Sequence, residues 1–550
     1  MGTRAARGGR AACFVVAALA ALAALSRAEL YTALVEMEEL LETEAVLLRT
    51  LESYISAQEE KLSLLKRRAA EYAREHEEAS QDAQGYLSNP INAYLLVKRL
   101  TTDWKDVEAH ITSDVGQSFV DNLTQYHQVL KFPTDEDLNG AAVALMRLQD
   151  TYKLDTSSVA RGELNGVQYS TELTAGDCFE LGRQSYNNGD FYHTVLWMNE
   201  ALDRYHGESN KTTTKSDILE YLAFSTYMQG NVNVALELTD ELLEMVPDHQ
   251  RALGNRVYYL ADIERLGKDR RKRGEDGEDD PPAAQQTPAT PAQAPGQTEP
   301  PERELYEMLC RGEVMPPQSV LSRLRCRYVD RGVPFLKLAR IKEEEAYLRP
   351  RIVIYHDVLY DSEIEVIKRL AQPRFRRATV QNYQTGQLEV AHYRISKSAW
   401  LKDEDHRVVT AVNRRVEDLS SLTVQTAEEL QVVNYGIGGH YEPHFDFARK
   451  EEHNAFKSLG TGNRIATVLF YMSDVQQGGA TVFPALRLAL WPRKGTAAFW
   501  HNLHPSGEGD FLTRHAACPV LTGSKWVSNK WIHELGQEFR RPCGLTEDAD

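Results

Sequence analysis

Between residue 31 and about residue 75, Leu34, Leu41, Leu48, Ile55 and Leu62 recur every seven positions. Met37, Leu51 and Leu65 fill most of the companion row, which Glu44 and Gln58 interrupt. A seven-residue repeat keeps one apolar seam on one side of a helix, and the flanking Glu and Lys residues fit a coiled coil. The pattern predicts a long helix that associates with a second copy; an intramolecular helical hairpin is the alternative.

From 143 to 260 the period stays helical but the sequence repeats itself. Leu181-Gly182 matches Leu222-Ala223, and Asn188-Gly189-Asp190 matches Gln229-Gly230-Asn231, both at an offset of 41. Ala235 and Pro247 follow Leu222 by 13 and 25 residues, which is tetratricopeptide spacing, with an insertion at Gly207–Thr214. Tyr186, Tyr192, Tyr205, Tyr221, Tyr227, Tyr258 and Tyr259 crowd this region. Helix packing accounts for each singly; together they suit a groove for an extended proline-rich peptide, whose rings dock on aromatic faces. Tyr192 and Tyr227, with Phe191, are the leading groove candidates, and Tyr186 and Tyr221 join them.

Beyond about residue 345 the pattern shortens to β-rich runs at 351–355, 430–435, 465–472, 495–500 and 525–533, punctuated by Gly, Pro, Asn and Asp. That is the signature of an antiparallel jelly roll, or double-stranded β-helix. Asp361–Leu370 reads as a helix capped by Asp361 or Ser362. The fold expected is therefore multidomain, with an α-helical N-terminal half and a β-rich catalytic half.

Composition sharpens this. The chain has 550 residues, 42% apolar and 26% charged, and a net charge of −17 that argues against nucleic acid as the main partner. Arg4, Arg7 and Arg10 precede an apolar run from Ala11 to Leu25, and Ser26-Arg27-Ala28 follows. This reads as a secretory signal peptide, residues 1–28, and no later run is long enough for a membrane span. Five cysteines then enter an oxidising compartment: Cys178, Cys310, Cys326, Cys518 and Cys543. Sequence does not fix their connectivity; local pairing would join Cys310 with Cys326 and Cys518 with Cys543 and leave Cys178 free. Asn122 and Asn210 begin glycosylation sequons in expected surface loops. Residues 268–302 run from basic through acidic to Pro-, Ala- and Gln-rich, a composition that does not bury a core. The division expected is 29–142 for helical dimerisation, 143–262 for peptide binding, 263–303 as linker, 304–344 as a disulfide-containing connector and 345–550 as the catalytic domain.

The chemistry lies in His444-x-Asp446, then His515, then Lys525. In extended chain residues two apart point the same way, so His444 and Asp446 can face one ion while Phe445 faces the core. Two imidazoles and a carboxylate leave open positions on ferrous iron. Zinc accepts the same ligands. A lysine ten residues after the second histidine favours iron, since it offers a cation to a dicarboxylate co-substrate. His440 and His453 are read as non-ligands.

With Tyr435-Gly, Tyr441-Glu-Pro-His-Phe-Asp-Phe and Gly523-Ser-Lys-Trp-Val-Ser-Asn-Lys-Trp-Ile-His around these residues, the sequence closely resembles the α subunits of collagen prolyl 4-hydroxylase across essentially the whole mature chain. The resemblance implies an Fe(II)/2-oxoglutarate dioxygenase that hydroxylates C4 of proline in X-Pro-Gly segments of procollagen, with L-ascorbate as reductant. It implies Fe(II) on His444, Asp446 and His515, and 2-oxoglutarate on Lys525 and Tyr435, with His533 assisting its binding and decarboxylation. It also implies that Cys310–Cys326 and Cys518–Cys543 are disulfides. The chain ends Thr546-Glu-Asp-Ala-Asp550 without a Lys-Asp-Glu-Leu type signal, so retention in the endoplasmic reticulum lumen is expected through a partner, protein disulfide isomerase, in an α2β2 tetramer. The competing readings are a non-catalytic binding or chaperone protein for collagen-like chains, and a hydroxylase of lysine or of C3 of proline.

Overall fold

The computed structural model describes residues 30–273, 300–381, 388–390, 393–452, 455–456 and 459–546; the expected signal peptide, most of the expected linker, His453 and the last four residues lie outside them. The chain divides into two compact units, Val35–Thr134 and, separately, Asp135 onward together with the residues up to Leu34.

The first unit is built on one helix, Leu34–Gln81, and returns through shorter helices that end with Gln117–Val129. Its covered side carries Thr43, Val46, Leu47, Thr50 and Tyr54, and Tyr54 packs edge-on against Phe119 with ring centroids 5.4 Å apart. The heptad seam lies on the other side: Leu41, Leu48, Leu51, Ile55 and Leu62 are 47–67% exposed. The hairpin and the free seam therefore coexist on two faces of one helix. Asn122 sits within Gln117–Val129, exposed but helical rather than in a loop, whereas Asn210 lies in the exposed connection Glu208–Thr214.

In the second unit, helix Asp135–Tyr152 leads to paired helices Ala175–Asn187 with Phe191–Gly207, then Lys215–Met228 with Val232–Met245, then Gln250–Arg273. The two sequence-matched turns are structurally equivalent, and each needs a glycine: Gly189 has φ 74° and Gly230 φ 90°. Trp197, Met198, Ile218 and Leu222 fill the shared core. The last helix runs on to Arg273, so the basic run expected to open the linker is helical.

The catalytic region is two facing antiparallel sheets. We number its strands β1 (Cys326–Val329), β2 (Ile341–Tyr347), β3 (Ile352–His356), β4 (Arg376–Arg377), β5 (Lys397–Leu401), β6 (Leu430–Asn434), β7 (Tyr441–His444), β8 (Arg464–Tyr471), β9 (Thr481–Phe483), β10 (Leu488–Leu490), β11 (Ala497–His501), β12 (His515–Ala517) and β13 (Trp526–His533). The nine-stranded sheet runs β1-β2-β3-β11-β8-β13-β6-β5-β4 and the four-stranded sheet β7-β12-β9-β10. Val433, Leu469, Tyr471, Trp500 and Val527 from the large sheet meet Phe483, Leu488 and Ala517 from the small one, as expected of a double-stranded β-helix. Helix Asp361–Ala371 covers the outer face; its first turn is closed not by Asp361 or Ser362 but by Glu363, whose carboxylate accepts from the Tyr360 N–H at 3.0 Å.

The cysteines depart from local pairing. Helix Glu302–Cys310 folds onto the small sheet, burying Tyr306, Leu309 and Cys310 against Val482, Ala516 and Cys518, and a disulfide joins Cys310 to Cys518 with Cα atoms 5.5 Å apart. Cys326 and Cys543 are exposed thiols and Cys178 is a buried one, so neither Cys310–Cys326 nor Cys518–Cys543 forms here. Helix-on-sheet packing, which sequence separation does not encode, selects the partner.

Candidate active site

β7 pairs with β12 so that His444 lies directly opposite His515. The ring centroids stand 4.4 Å apart. Asp446 follows two residues on; its Oδ1 is 3.8 Å from His444 Nε2 and its Oδ2 3.6 Å from His515 Nε2. All three ligand atoms lie within 4.8 Å of one another.

The imidazoles are oriented for metal. His444 Nδ1 faces the Glu442 carbonyl at 2.8 Å and His515 Nδ1 the Thr513 carbonyl at 2.9 Å. A carbonyl only accepts, so each Nδ1 carries the proton and each Nε2 presents its lone pair to the shared point. Burial holds His444 well below the ordinary imidazole pKa; burial opposes ionisation of Asp446, but the polar and charged groups around it, Arg464 and the Thr467 hydroxyl among them, together outweigh it and keep the carboxylate charged. Thr467, buried on β8, donates to Asp446 Oδ2 at 2.7 Å and accepts from Asn502 Nδ2 at 3.0 Å. Stacking on Tyr441, at 3.6 Å between centroids, fixes the plane of His444. The donor set fits a divalent iron: two neutral imidazoles and one ionised, hydrogen-bonded carboxylate on one side of an open space.

Lys525 lies in the same cavity, with Tyr435, Thr481 and Trp500. It is 1% exposed, its Nζ stands 4.9 Å from the Tyr435 ring centroid, and among the described residues no carboxylate pairs with it. Burial alone pulls its pKa down to about 7. A buried cation without an anion is costly unless a ligand supplies one. Tyr471 donates to Thr481 Oγ1 at 2.8 Å beside this pole of the cavity. Toward solvent the metal position opens into a cleft of about 560 Å³ lined by Tyr393, Arg394, Trp400, Tyr441, Arg464 and Trp531.

Two sequence expectations change. His533 is the last residue of β13, whereas Lys525 immediately precedes its first, so the length of the strand, roughly 25 Å, separates them. Its Nδ1 stands 2.9 Å from Thr461 Oγ1 and 2.8 Å from the Gly462 carbonyl, its Nε2 3.0 Å from Glu428, and it does not line the cavity. Phe445 is half-buried with Phe447 and Phe511 rather than sealed in the core. His440 is buried in the turn before β7, outside the ligand set.

Among the repeat aromatics, Tyr186, Phe191 and Tyr221 form one patch, with Tyr186 4.9 Å from Tyr221 and 5.8 Å from Phe191. Phe224 completes it, 5.7 Å from Tyr186 and 6.0 Å from Phe191. Its i+3 spacing from Tyr221, which places both on one helix face, is its signal in the sequence. Tyr192, one position after Phe191, turns away from that patch and packs against His193. Tyr227 stacks on Tyr259 at 4.4 Å and donates to Asp262 at 2.6 Å.

Fold and site together define a class, the iron- and 2-oxoglutarate-dependent oxygenases, and the family model for the 2OG-Fe(II) oxygenase superfamily matches residues 430–533. Residues 33–166 match the prolyl 4-hydroxylase α-subunit N-terminal region, and residues 175–265 the prolyl 4-hydroxylase peptide-substrate-binding domain. Human prolyl 4-hydroxylase subunit alpha-1 is 51% identical over 521 residues, covering 94% of this chain and 96% of that protein. Subunit alpha-2 of Caenorhabditis elegans is 50% identical over 96% of each chain, and chicken subunit alpha-2 is 48% identical over 97% of this chain and 99% of its own. The chain belongs to the prolyl 4-hydroxylase α-subunit family.

Proposed function

We propose that this chain hydroxylates C4 of proline in X-Pro-Gly segments of procollagen and other proline-rich chains, and that the catalytic work falls to the residues gathered around the β7–β12 pair. His444, Asp446 and His515 hold Fe(II), with Thr467 keeping the carboxylate oriented. Lys525 receives the far carboxylate of 2-oxoglutarate and Tyr435 walls its pocket. When bound, iron and 2-oxoglutarate supply the oxidative decarboxylation that activates dioxygen for hydroxylation of carbon. The chain's part is to keep both Nε2 atoms unprotonated, to exclude water from Lys525 with Tyr435 and Trp500, and to leave the cleft open to the peptide. L-Ascorbate serves as reductant.

The observation that carries this reading is the shared cavity: three convergent ligand atoms at one pole and, at the other, the buried Lys525 amine with no carboxylate partner among the described residues. Succinate formation dependent on Fe(II), 2-oxoglutarate and a (Pro-Pro-Gly)-type peptide tests it. Alanine at His444, Asp446 or His515 should abolish turnover and metal retention together; full turnover in any of them ends the assignment. Lys525→Ala should raise the 2-oxoglutarate KM roughly tenfold to a hundredfold, the range for a lost charged hydrogen bond, with the peptide KM little changed.

The patch of Tyr186, Phe191 and Tyr221 is the peptide groove in this reading, holding a long substrate near the active site by tethering. The exposed heptad seam supports pairing of two α chains, and protein disulfide isomerase is the β subunit of an α2β2 enzyme retained in the endoplasmic reticulum lumen. Residues 1–28 are the signal that brings the chain there, and Asn210, in an exposed connection, is the better placed sequon. The Pro-, Ala- and Gln-rich stretch makes the chain most like the family's third α isoform.

A further inference from the structure

The co-substrate end of the cavity is held from behind by residues far away in sequence. β6 ends at Asn434, and Tyr435 begins a tight loop, Gly436–Gly439, that delivers the chain to His440 and β7. On one side this loop is tied to the site: the Tyr435 N–H donates to the Lys525 carbonyl at 3.2 Å, and Asn434 Nδ2 reaches the same oxygen at 3.3 Å. Its other side meets the N-terminal segment. The Ile437 N–H donates to the Tyr31 carbonyl at 3.1 Å, and the Leu34 N–H donates to the Tyr435 carbonyl at 3.4 Å.

The fit is close enough to demand glycine. A Cβ on Gly436 would overlap the Tyr31 carbonyl oxygen, and its next nearest atoms are backbone atoms of Thr32 and Ala33. Gly436 is not among the residues with positive φ, so contact with this segment, and not backbone freedom, is what excludes a side chain. Thr32 and Ala33 are fully buried. Helix Asp135–Tyr152 completes the clamp: Gly140 lies against the Tyr31 ring, a Cβ on Gly438 would come within 2.9 Å of the Ala144 carbonyl, and Arg147 Nη1 donates to the Gly438 carbonyl at 3.4 Å.

We infer that Tyr31–Leu34 form a strap that is part of the co-substrate site, positioning Tyr435 against Lys525 through backbone hydrogen bonds to the loop. The inference rests on the reading of Lys525 and Tyr435 as the 2-oxoglutarate pocket. The strap touches no reacting atom; its residues are positioning residues, and their effect falls on 2-oxoglutarate and not on the peptide.

Gly436→Ala in the full-length enzyme, in its native complex, displaces the strap by adding one methyl group. The 2-oxoglutarate KM should rise roughly tenfold, the size of one loosened hydrogen bond at a charged site, while the peptide KM stays within about twofold. In metal-free protein the amides of Tyr435 and Ile437 should exchange with deuterium faster than in wild type. Tyr31→Ala, which removes the ring lodged on Gly140 but adds no clash, should show the same two changes at smaller size and guards against a misfolded first variant. Faster exchange with a wild-type 2-oxoglutarate KM in both variants overturns the strap's role, and so does unchanged exchange. Lys525→Ala separates the two claims: if it raises the 2-oxoglutarate requirement and the strap variants do not, the strap alone fails; if it has no effect, the pocket reading fails.

Discussion

On β6, Leu430, Val432 and Val433 are no more than 1% exposed, whereas on helix Leu34–Gln81 the side chains of Leu41, Leu48 and Leu51 are more than half exposed. Both segments are rich in branched aliphatic residues, yet one closes its apolar surface within the chain and the other presents it. In the catalytic sheets the central strands β6, β8 and β13 are buried along most of their length, and the site inherits the rigidity of that packing. The long helix has one stripe covered by Gln117–Val129 and a second stripe, displaced round its axis, that no described residue seals. A contiguous exposed apolar row of this length marks an interaction surface. Rigid chemistry is thus built from intrachain burial, and assembly is left to surface that intrachain burial does not use.

The sharpest way to break the comparison is to charge the seam. Replacing Leu48 and Ile55 by Glu should split the proposed α–α assembly. The four side chains lost per dimer, already half covered, account for about 3 kcal/mol of burial, or roughly a hundredfold in dissociation constant, before charge repulsion is added. Mass by light scattering across a dilution series reads this. Turnover of a short peptide should be unchanged, because nothing in the catalytic sheets depends on that row. Unchanged mass would mean the exposed stripe is not the assembly surface.

The complementary variant acts inside the sheets. Thr467→Val keeps the shape of the β8 side chain but removes the donor to Asp446 Oδ2, leaving Asn502 without its acceptor. Loss of such a supporting hydrogen bond typically weakens metal affinity by about 10- to 100-fold. Titration of Fe(II) into the apoenzyme measures it, and an affinity equal to wild type would show that packing alone orients the carboxylate.

What was legible in the sequence follows the same division. Strand runs were legible to within two residues of β3, β6, β8, β11 and β13, because a buried sheet writes itself as apolar runs between turn residues. His444, Asp446, His515 and Lys525 were legible because residue type, two-residue spacing and strand context coincide. Pairings made by tertiary approach were not. Cys518 meets Cys310 across 208 residues because a helix docks on the small sheet, and no local spacing announces that. The strap is equally silent: Tyr31-Thr32-Ala33 has no motif, and Gly436 looks like any turn glycine until the atoms beside it are known. Helical phase, by contrast, is readable from the sequence. One turn of helix sets Phe224 beside Tyr221 on the aromatic patch, while Tyr192, next to Phe191, points off it.

The smallest effect lies between the two extremes, in the helical repeats, where burial and charge are combined. His193 has a side chain 4% exposed, with Asp190 at 2.7 Å from Nδ1 and Asp150 at 3.3 Å from Nε2. Burial works against its charge, but the Asp150 and Asp190 carboxylates outweigh it and raise the pKa to about 9. The folded state then holds a proton that the unfolded chain releases near pH 6.5, so the contribution is complete below about pH 6.5 and is lost as pH rises through about 9. The two carboxylates are 44% and 37% exposed, which screens the pairs and reduces the contribution to about 1–2 kcal/mol. Urea unfolding of the repeats followed by tryptophan fluorescence should therefore show a midpoint that falls between pH 6.5 and 9. His193→Gln should flatten that slope without moving the metal affinity of the sheets. A slope that persists in the variant would assign the pH dependence to another group, and loss of metal affinity would show that the repeats and the catalytic sheets, which share one compact unit, are coupled in their chemistry as well.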